Sequence, residues 1–502
     1  MLREPVRWVD ERLGLGVTIR SALRYVFPDH WSFQLGEIAL YAFVVLVGTG
    51  IFLAFYYVPT DMETTYRGSY EPLAGLVASE NYISTLRLSF DVPGGLLMRQ
   101  THHWAANVFI AAIVVHLVRI VFTGAFRKPR EINYFIGVTM LIVAIFEGFA
   151  GYMLPDDLLS GMGLVIAYAV GLGIPFVGAD AMFLIWDGPF PGADTFWNRL
   201  QITHVLLIPL LLAALITLHM LIIVRQHHAQ FSSGSSEEAR AKSEKQVVGT
   251  PMWPGYALRS VGLLGIMTGG LFLLGGLVQI NPIWLWGPYE PYLSSNGAQP
   301  DWYLGWLIGA LRLMPPLEIQ LGDYTAVPNA FWGGAGFPLA VFMLLYLFPF
   351  IDKRFFGDRR KHHVLDRPRD NPRRTAFLWA FFFWIWVVFA AGATDRIFFR
   401  LGISYEAQIW FFRFVAVLGP FAMYFVARRW AQELQERDVH PLRGWNGRLV
   451  RRDPAMGGFT TVDGAQDGAV APEEDVRAHE AVVANAPPDP RTTEAAREPD
   501  ES

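Results

Sequence analysis

The sequence contains no cysteine. That excludes a thioether-bound haem, a thiolate-ligated iron–sulfur cluster, a zinc–thiolate site and any disulfide on this chain. Charge of either sign is also scarce. Charged residues make up 17% of the 502, against 53% hydrophobic and 15% aromatic, and mean hydropathy is +0.29. That balance excludes an ordinary soluble globular protein and gives no basic surface for nucleic acid. Several apolar runs instead reach the length that crosses a bilayer.

About eight spans can be read, with cores at 36–57, 104–122, 137–154, 204–224, 261–280, 331–350, 377–391 and 409–426. The expected fold class is all-α: a polytopic membrane protein with a four-helix bundle followed by four further helices. The loops after the first, third and fifth spans hold no lysine and few arginines. Basic residues gather in the N-terminal segment and in the second, fourth and sixth connections, the last carrying Lys353, Arg354, Arg359, Arg360, Lys361, Arg367, Arg369, Arg373 and Arg374. The positive-inside rule then puts both termini in the cytoplasm of a cell membrane. Residues 1–34 read as a cytoplasmic amphipathic segment with no signal core, 35–228 as the four-helix domain and 229–259 as a polar linker. Residues 260–430 form the second four-helix domain, 431–463 a basic extension, and 464–502 a disordered tail rich in Ala, Pro, Asp and Glu.

The second span carries His102 and His116, 14 residues apart. At about 100° and 1.5 Å per residue they share a face, about 21 Å apart along the axis. His103 points roughly 140° away from His116 and drops out as a partner for it. His204 and His219 on the fourth span, 15 apart, echo the pattern. A lone intramembrane histidine is more often structural, but two helically matched pairs predict two stacked bis-histidine haem sites. Gly36 and Gly50, and Gly137 and Gly151, repeat the 14-residue spacing on the first and third spans. A flat porphyrin needs backbone close by and no side chain in its plane, and glycine meets that need. Arg99 and Arg119 lie three residues outside the histidines of the second span, where each either reaches a haem propionate or simply snorkels to its own membrane face.

These residues carry a resemblance. The run HHWAANVFIAAIVVHLVRIVFTGAFRKPREINYFIGV, followed by GYMLP and THVLLIPLLLAALITLHMLI, resembles cytochrome b of the quinol-oxidising cytochrome bc and bf complexes. PDWY at Pro300–Tyr303 is similar to the family's PEWY motif. QPDWYLGWLIGALRLMPP with HHVLDRPRDNPRRTA is similar to the actinobacterial type of the subunit. The resemblance covers about residues 15–450. It implies that His102 and His204 hold a low-potential haem near the outer face and that His116 and His219 hold a high-potential haem near the cytoplasm. It further implies that Tyr152, Pro300, Asp301, Trp302 and Tyr303 line an outer quinol site, with Asp301, Tyr303 and Tyr152 catalytic. Asp301 is one methylene shorter than the family's Glu. Gln34 stands where the bf branch carries the cysteine that tethers an extra haem, so that haem is not expected. After GYMLP the chain reads DDLLSGMG in place of the usual Trp-containing continuation.

The implied function is the haem-b subunit of a proton-translocating quinol–cytochrome c reductase with two non-covalent b haems and quinol as substrate. Its implied partners are a Rieske-type iron–sulfur subunit, a c-type cytochrome subunit, a terminal cytochrome c oxidase, a second copy of the complex, and membrane lipid. The rivals are a cytochrome b anchor of another quinone-linked dehydrogenase, which leaves the second half and PDWY unexplained, and a transporter with a histidine proton pathway, which needs no paired glycines. For a cytoplasmic-side quinone site, topology offers His227, His228, Arg24 and Asp29.

Overall fold

The computed structural model describes residues 8, 10–12, 14–190, 194–231, 247–293, 299–357, 361–397, 399–439, 442–443, 449–452 and 459–461. The predicted tail from 464 onward, and residues 232–246 of the predicted linker, lie outside them. Eight helices are long and apolar enough to cross a membrane: α1 (Trp31–Ala54), α2 (Gly95–Thr123), α3 (Glu131–Met153), α4 (Thr195–Gln226), α5 (Met252–Leu277), α6 (Asn329–Phe355), α7 (Pro372–Gly392) and α8 (Tyr405–Glu436). The all-α, eight-span expectation holds. Strands among the described residues are short antiparallel pairs and one small three-stranded sheet formed by residues 442–443, 449–452 and 459–461.

Two helices carry a π turn for a reason visible in the sequence. Pro209 has no N–H to give the carbonyl four residues back, and the chain takes a π turn over Thr203–Leu207 just before it. Pro338 follows a π turn at Trp332–Gly336 in the same way. The first of these turns contains His204, and a π turn takes up about one extra residue. It explains why the histidines of α4 are spaced 15 apart while those of α2 are 14 apart.

One buried cluster holds the bundle together. It joins Ala42 of α1, Ile110 of α2, and Val138 and Leu141 of α3 to Leu345 and Phe348 of α6 and Leu378 of α7. Tyr303 and Leu304, from the connection between α5 and α6, belong to the same cluster, so the PDWY motif is packed against the first four helices. Outward faces are apolar instead of polar: Leu210, Leu221, Leu273, Phe414 and Phe421 are all exposed. That pattern suits helices solvated by hydrocarbon. At the basic end, Val26–Pro28 pairs antiparallel with Gly249–Pro251 and ties the N-terminal segment to the start of α5. There too, the fully buried Arg374 bonds Asp366 at 2.5 Å and lies 3.6 Å from Asp352, while Arg127 bonds Asp366 at 3.0 Å. This knot fastens the α2–α3 connection to α6 and α7. At the opposite, loop-rich end, Glu63–Thr65 pairs with Val77–Ser79 beneath a short helix, Glu80–Phe90.

Candidate functional site

The two long helices α2 and α4 bring His102 and His204 face to face. Their ring centroids are 6.2 Å apart and the rings are nearly perpendicular, at 82°. Two metal–nitrogen bonds of about 2 Å, plus about 1.1 Å from each ring centre to its nitrogen, predict roughly 6.2 Å for two imidazoles on one first-row metal ion. The other nitrogen of each ring is already engaged. His102 Nδ1 lies 3.0 Å from the Thr49 hydroxyl, and His204 Nδ1 lies 3.2 Å from the Glu147 carbonyl and 3.0 Å from its carboxylate. Such partners fix ring orientation and leave Nε2 of both rings for the metal. His116 and His219 line a second cavity toward the basic end.

The glycines answer to the histidines, with one exception. A Cβ on Gly151 would lie 2.4 Å from His204 Cε1, on Gly50 3.1 Å from His102 Cε1, and on Gly36 3.4 Å from His116 Cε1. Gly137 lines the second cavity, but a Cβ there would meet nothing within 4 Å. The arginines each face one cavity. Arg99 lines the first, giving one N–H to the Asn281 carbonyl at 3.1 Å and leaving Nε unpartnered. Arg119 lines the second, with buried Nε and Nη2 unpartnered. Buried donors without acceptors are costly, and anionic haem propionates would satisfy them. The donor set, the glycine clearances and the unpartnered guanidinium groups therefore all fit b haem.

The PDWY residues divide between two cavities. Asp301 and Tyr303 line the cavity of His102 and His204. Pro300 lines a larger apolar cavity of about 1120 Å³ between α3, α6 and the segments near 160 and 305. That volume lies just above the usual range for ligand pockets. Tyr152 lines both and stands in the wall between them. Trp302 lies on neither; it is 40% exposed and packs edge-on against Tyr303.

His103, which spacing turns away from the haem face, reaches Asp301. Its Nε2 lies 2.8 Å from both carboxylate oxygens, and the Tyr303 hydroxyl donates to Oδ2 at 3.1 Å. Burial pushes the Asp301 carboxyl up. The charge and hydrogen bond of His103, with hydrogen bonds from Tyr303 and Asn107, outweigh burial and hold it below the usual carboxylate range. A carboxylate 198 residues away in sequence is thus clamped by the neighbour of His102.

At the basic end, His227 and His228 line the second cavity, and the Tyr25 hydroxyl lies 3.3 Å from His228 Nδ1. Burial, with Arg130 and Arg119 nearby, pushes His228 down to about 4, so it is neutral at pH 7. Arg24 is exposed, and Asp29 is spent on Thr250 and Arg259 at the surface. The cavity's polar wall is instead Glu37, Tyr41, Tyr256 and Ser260, where the Tyr256 hydroxyl donates to Glu37 and Tyr41 meets Ser260. Sequence reasoning passed over Glu37, although an acid inside a span marks a functional position by default.

Facing histidines on two crossing helices, cleared by glycines and flanked by unpartnered arginines, define a class: an integral membrane protein of the b-type cytochrome kind. Comparison with known proteins narrows it. Residues 107–288 match the family model described as cytochrome b(N-terminal)/b6/petB. The cytochrome bc1 complex cytochrome b subunit of Streptomyces coelicolor is 41% identical over 448 residues, covering 89% of this chain and 81% of the relative. The subunit of the same name from Mycobacterium tuberculosis is 44% identical over 448 residues, covering 89% and 80%. That of Corynebacterium efficiens is 42% identical over 431 residues, covering 86% and 78%. This chain belongs to that family, the cytochrome b subunits of cytochrome bc1 complexes. A solved structure described as a hyperthermophilic respiratory Complex III shares the fold, with TM-score 0.58 and 21% identity over 85% of this chain and all of that one.

Proposed function

We propose that this chain is the haem-b subunit of a respiratory quinol–cytochrome c reductase that holds two b haems and serves two quinone sites. The observation that carries the reading is the His102–His204 pair, 6.2 Å between ring centres with both Nδ1 atoms engaged. His102 and His204 would hold the haem nearer the quinol site, and His116 and His219 the haem nearer the basic end. Arg99 and Arg119 would take their propionates, and Gly36, Gly50, Gly137 and Gly151 would clear their planes. Bound there, the haems supply one-electron redox chemistry.

The chain's own residues do the rest. The apolar cavity beside Pro300 and Tyr152 admits quinol and excludes water. Asp301, held ionised by His103, accepts a quinol proton at its carboxylate, and Tyr303 keeps that carboxylate oriented. Glu37, Tyr256 and His228 hold and deliver protons at the second cavity, where quinone is reduced. With the basic end cytoplasmic, protons leave outside and enter inside, so turnover builds a membrane potential. One electron per quinol goes to a Rieske-type iron–sulfur subunit and then a c-type cytochrome. Both must be separate chains, since this one has no cysteine.

A pyridine haemochrome assay on the purified complex should find two non-covalent b haems per copy of this chain. Fewer than two would sink the reading. Gly151→Val should reduce the count to one, because its Cβ would sit 2.4 Å from His204 Cε1. Retention of both haems in that variant would show that the ring has another place to go.

A further inference from the structure

Glu147 lies inside α3, and apart from Glu131 in the first turn it is the only acid in that helix. It precedes Gly151 by four residues and so shares its face, the one turned toward His204. Its carboxylate Oε1 is 3.0 Å from His204 Nδ1. Oε2 is buried and has no hydrogen-bond partner. An acid in this setting is costly to bury, which argues for a role beyond packing.

The four histidine rings are not equivalent in what their Nδ1 atoms meet. His204 Nδ1 bonds the Glu147 backbone carbonyl at 3.2 Å and has the Glu147 carboxylate 3.0 Å away. His102 meets the Thr49 hydroxyl, whose own hydrogen goes to the Val45 carbonyl at 2.7 Å, so its oxygen is free to accept. His116 Nδ1 is buried without a hydrogen-bond partner, and His219 has the Asn133 backbone beside it but no carboxylate. An imidazole with a carboxylate against its Nδ1 edge is a more basic ligand, and a more basic ligand favours the ferric over the ferrous state. The pair with a carboxylate beside it borders Asp301 and Tyr303; the pair without one lies toward the basic end.

We infer that Glu147 is a positioning residue that lowers the reduction potential of the haem held by His102 and His204, and so sets the direction of electron flow toward the His116–His219 pair. This rests on the two-haem reading above. No bond is made or broken in the step. One electron leaves the site whose ligand is made basic by Glu147 and arrives at the site whose ligands are not. The competing role for Glu147 lies on its other side, where the next residue, Gly148, packs against Tyr303. A Cβ there would be 2.7 Å from the Tyr303 hydroxyl. An acid serving only the quinol site would change turnover and leave the potential alone.

The test is a spectroscopic redox titration of both b haems in the purified complex, for the parent, Glu147→Gln and Glu147→Asp, after a haemochrome count on each. A parent with fewer than two haems fails the earlier reading and is recognised at that first step. In Glu147→Gln the haem next to the quinol site should rise in potential enough to shift electron sharing between the two haems about tenfold, about 59 mV for a one-electron couple. The other haem should stay within error. Glu147→Asp keeps the acid at shorter reach and should rise less. If glutamine costs the protein its haem, the aspartate variant decides alone, and a rise there is expected. An unchanged potential in any variant that keeps both haems overturns the inference, and a fall in turnover alongside it moves Glu147 to the quinol site.

Discussion

Replacing His204 by leucine is expected to leave one b haem per chain and to abolish quinol–cytochrome c turnover. Leucine fills the space but offers no lone pair, and its cavity neighbours Val205, Pro209 and Leu212 cannot supply one. His102 alone would leave the iron one ligand short, while Glu147 would lose the ring beside its carboxylate. The His116–His219 pair lies several turns away, with no shared ligand. Changes at that distance behave independently. Its reduced-minus-oxidised spectrum should therefore survive, as the control that the bundle is still folded. The measurement is a haemochrome count together with that difference spectrum. Two haems in the leucine variant would mean that His204 is not a ligand.

The pairing of the histidines was legible because helical periodicity carries it. Fourteen residues return to the same face on a straight helix, and the 15-residue spacing of α4 comes right once Pro209 forces a π turn at His204. Three glycines likewise meet the histidines that their spacing predicted, while Gly137 only borders the cavity. What periodicity cannot carry is the partner of a side chain that leaves its own helix. His103 points away from the haem face for a simple angular reason, and the same angle aims it at Asp301, which no spacing rule connects to it. Trp302 belongs to the motif, yet alternation within the short turn sends its ring outward. At the basic end, Arg24 and Asp29 had the right depth and the wrong direction. Glu37 and Glu147 had a signal that was available, an acid within an apolar span, but neither has a matched pair to draw attention to it.

Asp301→Asn should lower quinol oxidation by about 10² to 10⁴, the usual contribution of a positioned acid or base, and leave both haem spectra as they are. The substitution is nearly isosteric. The amide oxygen still accepts from His103 and Tyr303, so the 2.8 Å and 3.1 Å contacts have a replacement and the motif stays packed. What is lost is the capacity to take a proton. The pH behaviour separates this from a structural effect. The Asp301 carboxyl is held below the usual range, because the pull of His103, Tyr303 and Asn107 exceeds the push of burial. A base with a depressed pKa is present above that value and lost only as pH falls through it, below about 4. Over the working range, then, the parent's rate should carry no inflection from Asp301. The asparagine variant should be slow by the same factor throughout, with no recovery at higher pH. Quinol–cytochrome c turnover measured from pH 5.5 to about 8.5, at saturating quinol, is the check. Parent-like turnover would remove Asp301 from proton transfer. A deficit that closes as pH rises would mean that hydroxide or a second base can replace it, and that the clamp by His103 serves the packing of the motif instead of its chemistry.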